Sequence, residues 1–355
     1  MFANVAGVHL LGVATTPQSR HRRGPAVLAR EAVAAALADA GLTPAEVDGI
    51  AIAAAEDAFA SGAEAVLGAG RRPYRCRCGL GTVALNSAWK AVAAGEGEVV
   101  VCVGFDAAAA PPADRAETLE AQAAAAREYL QHSGASERHL ARVAAKNRRH
   151  GAANPNALVS GEVSVDEVLE SELLLWPLRK LMVAGPAPSS AAAVVLGASG
   201  RGRGRGAKAP RVSASVMLDS GSAGGAETSR AARLAYLSAG LGPDDVDLAE
   251  IEDPTPVEEI AAYEALEFAP EGSGPELVES GFTALGGVLP VNPSGGALSQ
   301  GVSRGAGGIR QLVELSLQLR DRADRRQVPG ARVGLGLCGG PASPTGPTAL
   351  TIVTA

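Results

Sequence analysis

A chain of 355 residues, 46% hydrophobic and 20% charged, has the make-up of a globular protein in water, and it is longer than one hydrophobic core usually serves. A net charge of −6 argues against general nucleic-acid binding, and no window approaches the ~20 apolar residues of a membrane span. Four cysteines in so long a chain make no disulfide framework, and the start lacks the basic and apolar run of a signal peptide, so a cytoplasmic setting is expected.

Met1 to Val13 reads as a first strand. Residues 27 to 52 give an alanine-rich helix, the phrase Ala40-Gly41-Leu42-Thr43-Pro44-Ala45-Glu46-Val47-Asp48, and an apolar strand beginning at Gly49. Gly41 suits a helix C-cap and Pro44 the start of a helical turn. The spacing then predicts a helix over Cys78 to Ala94 and a strand over Val99 to Gly104. Residues 106 to 190 break the pattern, with charged helical stretches at 114 to 131 and 136 to 149 and a turn at Gly151 to Asn156. The Arg-Gly repeats at 201 to 206 read as a solvated linker, too short in so acidic a chain for an RNA-binding segment.

The early phrase returns 199 residues later as Ala239-Gly240-Leu241-Gly242-Pro243-Asp244-Asp245-Val246-Asp247, identical at six of nine positions and again between helix and strand. A helix at Gly305 to Leu319 and a strand at Val333 to Cys338 complete the correspondence. An internal duplication is therefore expected, with wholly apolar strands covered by helices on both faces.

Between the second phrase and that last helix lies Leu289-Pro290-Val291-Asn292-Pro293-Ser294-Gly295-Gly296, followed by Gly301-Val302-Ser303-Arg304-Gly305-Ala306-Gly307-Gly308. Read as residues, it is a tight glycine-lined loop feeding a buried helix. The whole string resembles the loop of the thiolase superfamily, Asn-x-x-Gly-Gly, a spacer, then Gly-His-Pro-x-Gly-Ala-x-Gly. Asn-Pro-Ser-Gly-Gly is typical of its branch related to sterol carrier protein x, the lipid-transfer-protein thiolases. Lys146-Asn147-Arg148-Arg149-His150 followed by Asn154-Pro155 resembles the same branch. The resemblance implies an α/β thiolase fold of two duplicated halves in five αβαβα layers, with an inserted loop domain over the acyl-CoA site. The implied boundaries are 1–105 with 191–205, 106–190, and 206–355.

Cys78, before the helix that ends near Gly95, stands where the family has its nucleophile, and helix amides there would lower a thiol pKa. The bland reading is a buried inert cysteine. Cys76-Arg77-Cys78 has no second pair to complete a metal site, so no metal is expected. Cys338, in Cys338-Gly339-Gly340, matches the family's proton-moving cysteine, with Gly340 in the oxyanion hole; a small residue at a crowded strand end is the alternative. Asn292, Ser294, Gly295, Gly296 and Val302 would line the substrate. The family's two histidines are replaced, by Val302 and by Glu252 in Glu250-Ile251-Glu252-Asp253. Glu252 is a base or proton donor of altered chemistry, or a surface charge on a rebuilt loop.

These residues imply an enzyme of acyl-CoA thioesters using Cys78 for acyl transfer or carbon–carbon bond chemistry, retro-aldol cleavage included, but no ordinary 3-ketoacyl-CoA thiolase. The branch contains aldolases with both histidines replaced, which rely on tyrosines absent here at Glu252 and in the Cys338 loop. The alternatives are a catalytically silent subunit beside an active partner, and an acyl-CoA or lipid-binding module. The resemblance further implies no bound cofactor, a homodimer or heterodimer with a thiolase-like chain, and room for an OB-fold subunit.

Overall fold

The computed structural model describes residues 7–18, 24–53, 74–106, 115–159, 161–185, 188–201, 209–218, 224–341 and 347–355. The Arg-Gly linker beyond Arg201, the stretch Ala107 to Pro112 and Pro73 lie outside the described residues. The first half runs β1 (Val8–Thr15), α1 (Pro25–Ala40), β2 (Gly49–Ala53), β3 (Tyr74–Cys78), α2 (Gly81–Ala93) and β4 (Val99–Asp106). The insertion holds α3 (Arg115–Ser133), α4 (Glu137–Ala152), α5 (Val165–Glu170) and a small hairpin of β5 (Leu173–Leu175) and β6 (Leu178–Arg179), after which β7 (Ser190–Ala198) returns to the sheet. The second half runs β8 (Arg211–Leu218), α6 (Gly224–Ala239), β9 (Leu248–Ile251), α7 (Pro256–Ala265), α8 (Gly274–Glu279), α9 (Gly296–Gln300), α10 (Gly307–Leu319), β10 (Val333–Cys338) and β11 (Thr348–Thr354).

Among the described residues the strand order is β3-β2-β4-β7-β1-β8-β11-β10-β9. The duplication expected from the repeated phrase is present in this order. From the centre outward, β1, β7, β4 and β2 pair antiparallel, antiparallel, parallel, and β8, β11, β10 and β9 do the same. β3 lies parallel beyond β2, and its counterpart is Val291, in a parallel bridge to Ala249 of β9. The two half-sheets meet through one antiparallel pair, His9 and Arg211. The repeated phrase has one conformation in both copies. Gly41 and Gly240 end their helices in the left-handed region at φ 67 and 70, and Pro44 and Pro243 each open a 3₁₀ turn.

Strand side chains alternate faces, and the alternation assigns the layers. Ile50, Ile52, Val101 and Val103 pack on α1, whereas Ala51, Ala53, Val100 and Cys102 face the central layer. That layer is α2 against α10. In the second half-sheet Gly334 and Gly336 face Leu315 and Gln311 of α10, and Leu335 and Leu337 face α6 and α7. The result is five layers in the order αβαβα, with the insertion on the outer side through α4 against α7, α8 and α9. Small residues permit the tight centre. A methyl group on Gly81 or on Gly104 would collide with the carbonyl oxygen of Gly305, so α2, β4 and the loop before α10 cross at a spacing that only glycine allows.

Candidate active site

The end of β9, the end of β10 and the start of α10 converge on an open cleft of about 370 Å³, the solvent space at its mouth included. Its polar lining is Glu250, Glu252, Gln300, Ser303, Arg310, Gln311 and Cys338; Ile251 and Ala297 supply the apolar side chains, with Gly296, Gly301 and Gly307 between. Ala249 and Ile251 fill the outer core, so the alternation of the strand turns Glu250 inward, and Glu252 follows on the same side.

Glu252 Oε2 accepts the N–H of Gly339 at 3.1 Å. Burial pushes its carboxyl above the usual range, opposed by that N–H and by the charges of Arg310 and Arg304. Cys338 donates its thiol hydrogen to Gln311 Oε1 at 3.1 Å, and Gln311 is oriented by donating Nε2 to the Leu337 carbonyl at 3.0 Å. Burial, and after it the charge of Glu252, hold the Cys338 thiol well above its ordinary pKa. The pair is thus a carboxyl beside a protonated thiol, which can pass a proton between oxygen and carbon.

Cys78 departs from the expectation in two ways. It ends β3 and is not helical; Gly79 and Leu80 intervene before α2 begins. The second departure is in the surroundings of its thiol. Sγ points at carbonyl oxygens, those of Leu80 at 3.2 Å and Ile52 at 3.7 Å. The first amide of α2, Gly81 N–H, is taken at 2.8 Å by the carbonyl of Arg304. Burial outweighs the favourable Leu80 backbone, and neighbouring Cys76 adds to it, so the pKa is pushed up to about 11 instead of down. Among the described residues Cys78 is not part of the cavity lining.

The Asn292 loop is a scaffold saturated with internal bonds. Asn292, at φ 54, accepts Ile251 N–H at 2.7 Å on Oδ1 and donates Nδ2 to Glu259 at 2.7 Å. Ser294 donates its hydroxyl to Glu250 Oε2 at 2.6 Å and accepts Gln300 Nε2 at 2.7 Å. Gly295 and Gly296 sit at φ 95 and 59, pressed against Gly151 and Asp253 where a Cβ would collide. Gly296 reaches the cavity. Val302 packs on the outer core with its N–H on the Gly185 carbonyl at 3.0 Å, and Gly340 is buried behind Leu337.

Residues 145 to 155 of the insertion clamp this loop from outside. Lys146 donates to the Val291 carbonyl at 2.8 Å and pairs with Glu259 at 2.6 Å, while Asn147 bridges Asp253 at 2.7 Å and Glu259 at 2.6 Å. Asn154 donates to the Ser294 carbonyl at 2.9 Å. His150 donates Nδ1–H to the Asn292 carbonyl at 2.9 Å and accepts Leu285 N–H on Nε2 at 3.0 Å. Burial and then the Lys146 charge lower its pKa to about 3, so this imidazole is neutral and structural.

Glu250, Arg310 and Gln311 are absent from the residues singled out in the sequence. Glu250 was signalled by its period of two from Glu252; Arg310 and Gln311 read as polar positions on a helix whose burial only packing reveals.

A family described as Thiolase C-terminal domain-like matches residues 213–349. Sterol carrier protein 2 from Rattus norvegicus is 32% identical over 295 residues, which cover 73% of this chain and 54% of that protein, so the chain spans about half the length of this relative. Acetyl-CoA acetyltransferase from Methanothermobacter thermautotrophicus is 33% identical over 285 residues, 73% of this chain and 73% of that one. Among solved structures, the Ltp2-ChsH2(DUF35) aldolase matches with a TM-score of 0.88 at 24% identity, covering 99% of this chain and 98% of that chain. With the loop, the duplicated halves and these relatives in place, the chain belongs to the thiolase superfamily, in the branch of the sterol carrier protein 2 thiolases.

Proposed function

We propose that this chain acts on acyl-CoA thioesters by breaking or making a carbon–carbon bond in the retro-aldol sense, with Glu252 and Cys338 as its proton-transfer pair. The observation that carries this is that Glu252 and Cys338 line one cavity while the Cys78 thiol is held protonated among carbonyls. In the cleavage direction Glu252 takes the proton of a 3-hydroxyl group, whose O–H pair becomes the second bond of a carbonyl. The bond between the α and β carbons breaks, and its electrons pass to the thioester as an enolate. The Cys338 thiol protonates the α-carbon, and Glu252 returns its proton to Cys338. The products are an aldehyde or ketone and a shortened thioester; no cofactor enters. Similarity to the Ltp2-ChsH2(DUF35) aldolase supports this reading and a DUF35-type partner, and the edge of β3, unpaired among the described residues, offers a place for a dimer.

The test is incubation with a 3-hydroxyacyl-CoA, with the released carbonyl compound trapped as its hydrazone. Release that Glu252→Gln abolishes is expected. Loss of cleavage in Cys78→Ser would restore the acyl-enzyme route instead.

A silent subunit is the second reading. It is favoured by the Glu252 carboxyl being tied to the Gly339 amide, next to Gly340, the residue expected to serve the oxyanion hole. No cleavage by the chain alone, together with stimulation of a co-purified thiolase-like partner, would select it.

A further inference from the structure

Resting on the acyl-CoA reading above, we infer that Gln311 is the positioning residue of the proton transfer, holding the Cys338 thiol as a hydrogen donor at the wall of the cleft. The Leu337 carbonyl can only accept, so the Gln311 amide turns Nε2 towards it, at 3.0 Å. That leaves Oε1 facing Cys338 Sγ at 3.1 Å. An amide oxygen can only accept in its turn, so the sulfur must carry the hydrogen of this contact. The order of carbonyl, amide and thiol is therefore set by the backbone of β10, on which Leu337 and Cys338 are neighbours. The resting thiol is the form that protonates an α-carbon.

The seat of the sulfur comes from one face of α10. Gly308 and Gln311 stand three residues apart, at neighbouring positions on that face. A methyl group on Gly308 would lie 3.3 Å from Cys338 Sγ and collide with Thr82, so the glycine leaves the room that the sulfur occupies. Gln311 then holds what Gly308 admits. Cys338 and Gln311 both line the cleft. Glu252, Arg310 and Glu250 face the same sulfur by charge, and Gln311 meets it by a hydrogen bond. Charge acts over several ångströms with little direction, whereas a hydrogen bond weakens steeply off its axis, so the aim of the thiol falls to Gln311.

The test uses the whole chain, first without substrate and then with it. The Raman S–H stretching band of Cys338 is identified by its loss in Cys338→Ala. Gln311→Met is expected to move that band to higher wavenumber, as a thiol released from its acceptor does. In cleavage of a 3-hydroxyacyl-CoA the same variant is expected to lower kcat about tenfold with KM unchanged, the loss of one hydrogen bond to the reacting group. Should Gln311→Met not fold, Gln311→Glu is the second variant. Its carboxyl can hold both the Leu337 carbonyl and the thiol only when protonated, so its kcat should fall relative to the wild type as the pH rises through the titration of that carboxyl. A band that stays in place in folded Gln311→Met overturns the inference. So does an unchanged kcat, or a Gln311→Glu pH profile parallel to that of the wild type. A wild type that cleaves no 3-hydroxyacyl-CoA overturns the acyl-CoA reading, and the role in proton transfer with it. The band, read without substrate, tells that failure apart from a thiol that Gln311 never held.

Discussion

Glu252 and Gly339 stand 3.1 Å apart, carboxylate oxygen to backbone nitrogen, one residue beyond Cys338. This places a carboxyl where the resemblance puts a histidine, and it fixes that carboxyl by the same strand end that presents the thiol. Glu252→Gln keeps an oxygen for the Gly339 amide and removes only the proton acceptor. The variant should therefore retain the wild-type unfolding midpoint while kcat falls by about 10²–10⁴-fold. A midpoint shift with unchanged turnover would make Glu252 structural.

Cys78 should be unreactive. A thiol with a pKa of about 11 leaves about one molecule in 10⁴ ionised at pH 7, against a few per cent at the ordinary value near 8.5. Iodoacetamide labelling followed by peptide mapping should give a Cys78 rate well below that of a free thiol, rising about tenfold per pH unit towards pH 11. Rapid labelling at pH 7 would return Cys78 to the role of nucleophile.

Ordinary thiolysis should fail for the same reason, since neither Val302 nor Glu252 is a histidine able to make the Cys78 thiolate. Acetoacetyl-CoA with free coenzyme A should show no turnover approaching the usual ~10 per second. Turnover at that rate would show a base at Cys78 that this geometry lacks.

His150 makes a stability prediction with a definite sign. Its folded pKa of about 3 lies below the ordinary 6.5, so between these values the unfolded chain binds a proton that the folded chain refuses. The stability contributed by neutral His150 is present above pH 6.5 and is lost as the pH falls towards 3, by about 1.4 kcal/mol per unit. Urea unfolding of the wild type and His150→Gln should show the gap between them narrowing by about 2 kcal/mol from pH 7 to pH 5. Comparing the two chains cancels Glu250 and Glu258, whose raised pKa values act in the opposite direction. A gap that does not change with pH would mean that His150 titrates normally.

β3 ends the sheet order, so one side of its backbone pairs with nothing among the described residues of this chain. An edge of this kind invites pairing with a second chain. Light scattering at micromolar concentration is expected to report a dimer or a larger assembly. A monomer would remove β3 as an interface.

The duplicated fold was legible from residues because its signals are local. A nine-residue phrase repeats with the same cap and the same turn proline, and apolar strands alternate with helices. The loop at Asn292 and the exchange of histidine for Glu252 were legible for the same reason, since each is a short string at a fixed spacing. Glu250 was half legible, two positions from Glu252 on one strand.

The state of Cys78 was not legible. Its place before a helix suggested an activating dipole, but the first helical amide, Gly81 N–H, is spent on Arg304, more than 200 residues away in sequence, and burial outweighs the lowering by the Leu80 and Ala84 backbone. Arg310 is the same case, a charge on a helix that meets Asp106, Glu252 and Glu250 only once the chain is packed. Local pattern decides which elements form and which side chains share a face, because caps, turns and alternation act over a few residues. Protonation and partner choice are set by solvent exclusion and by groups brought together from distant segments, and only the packed chain supplies those.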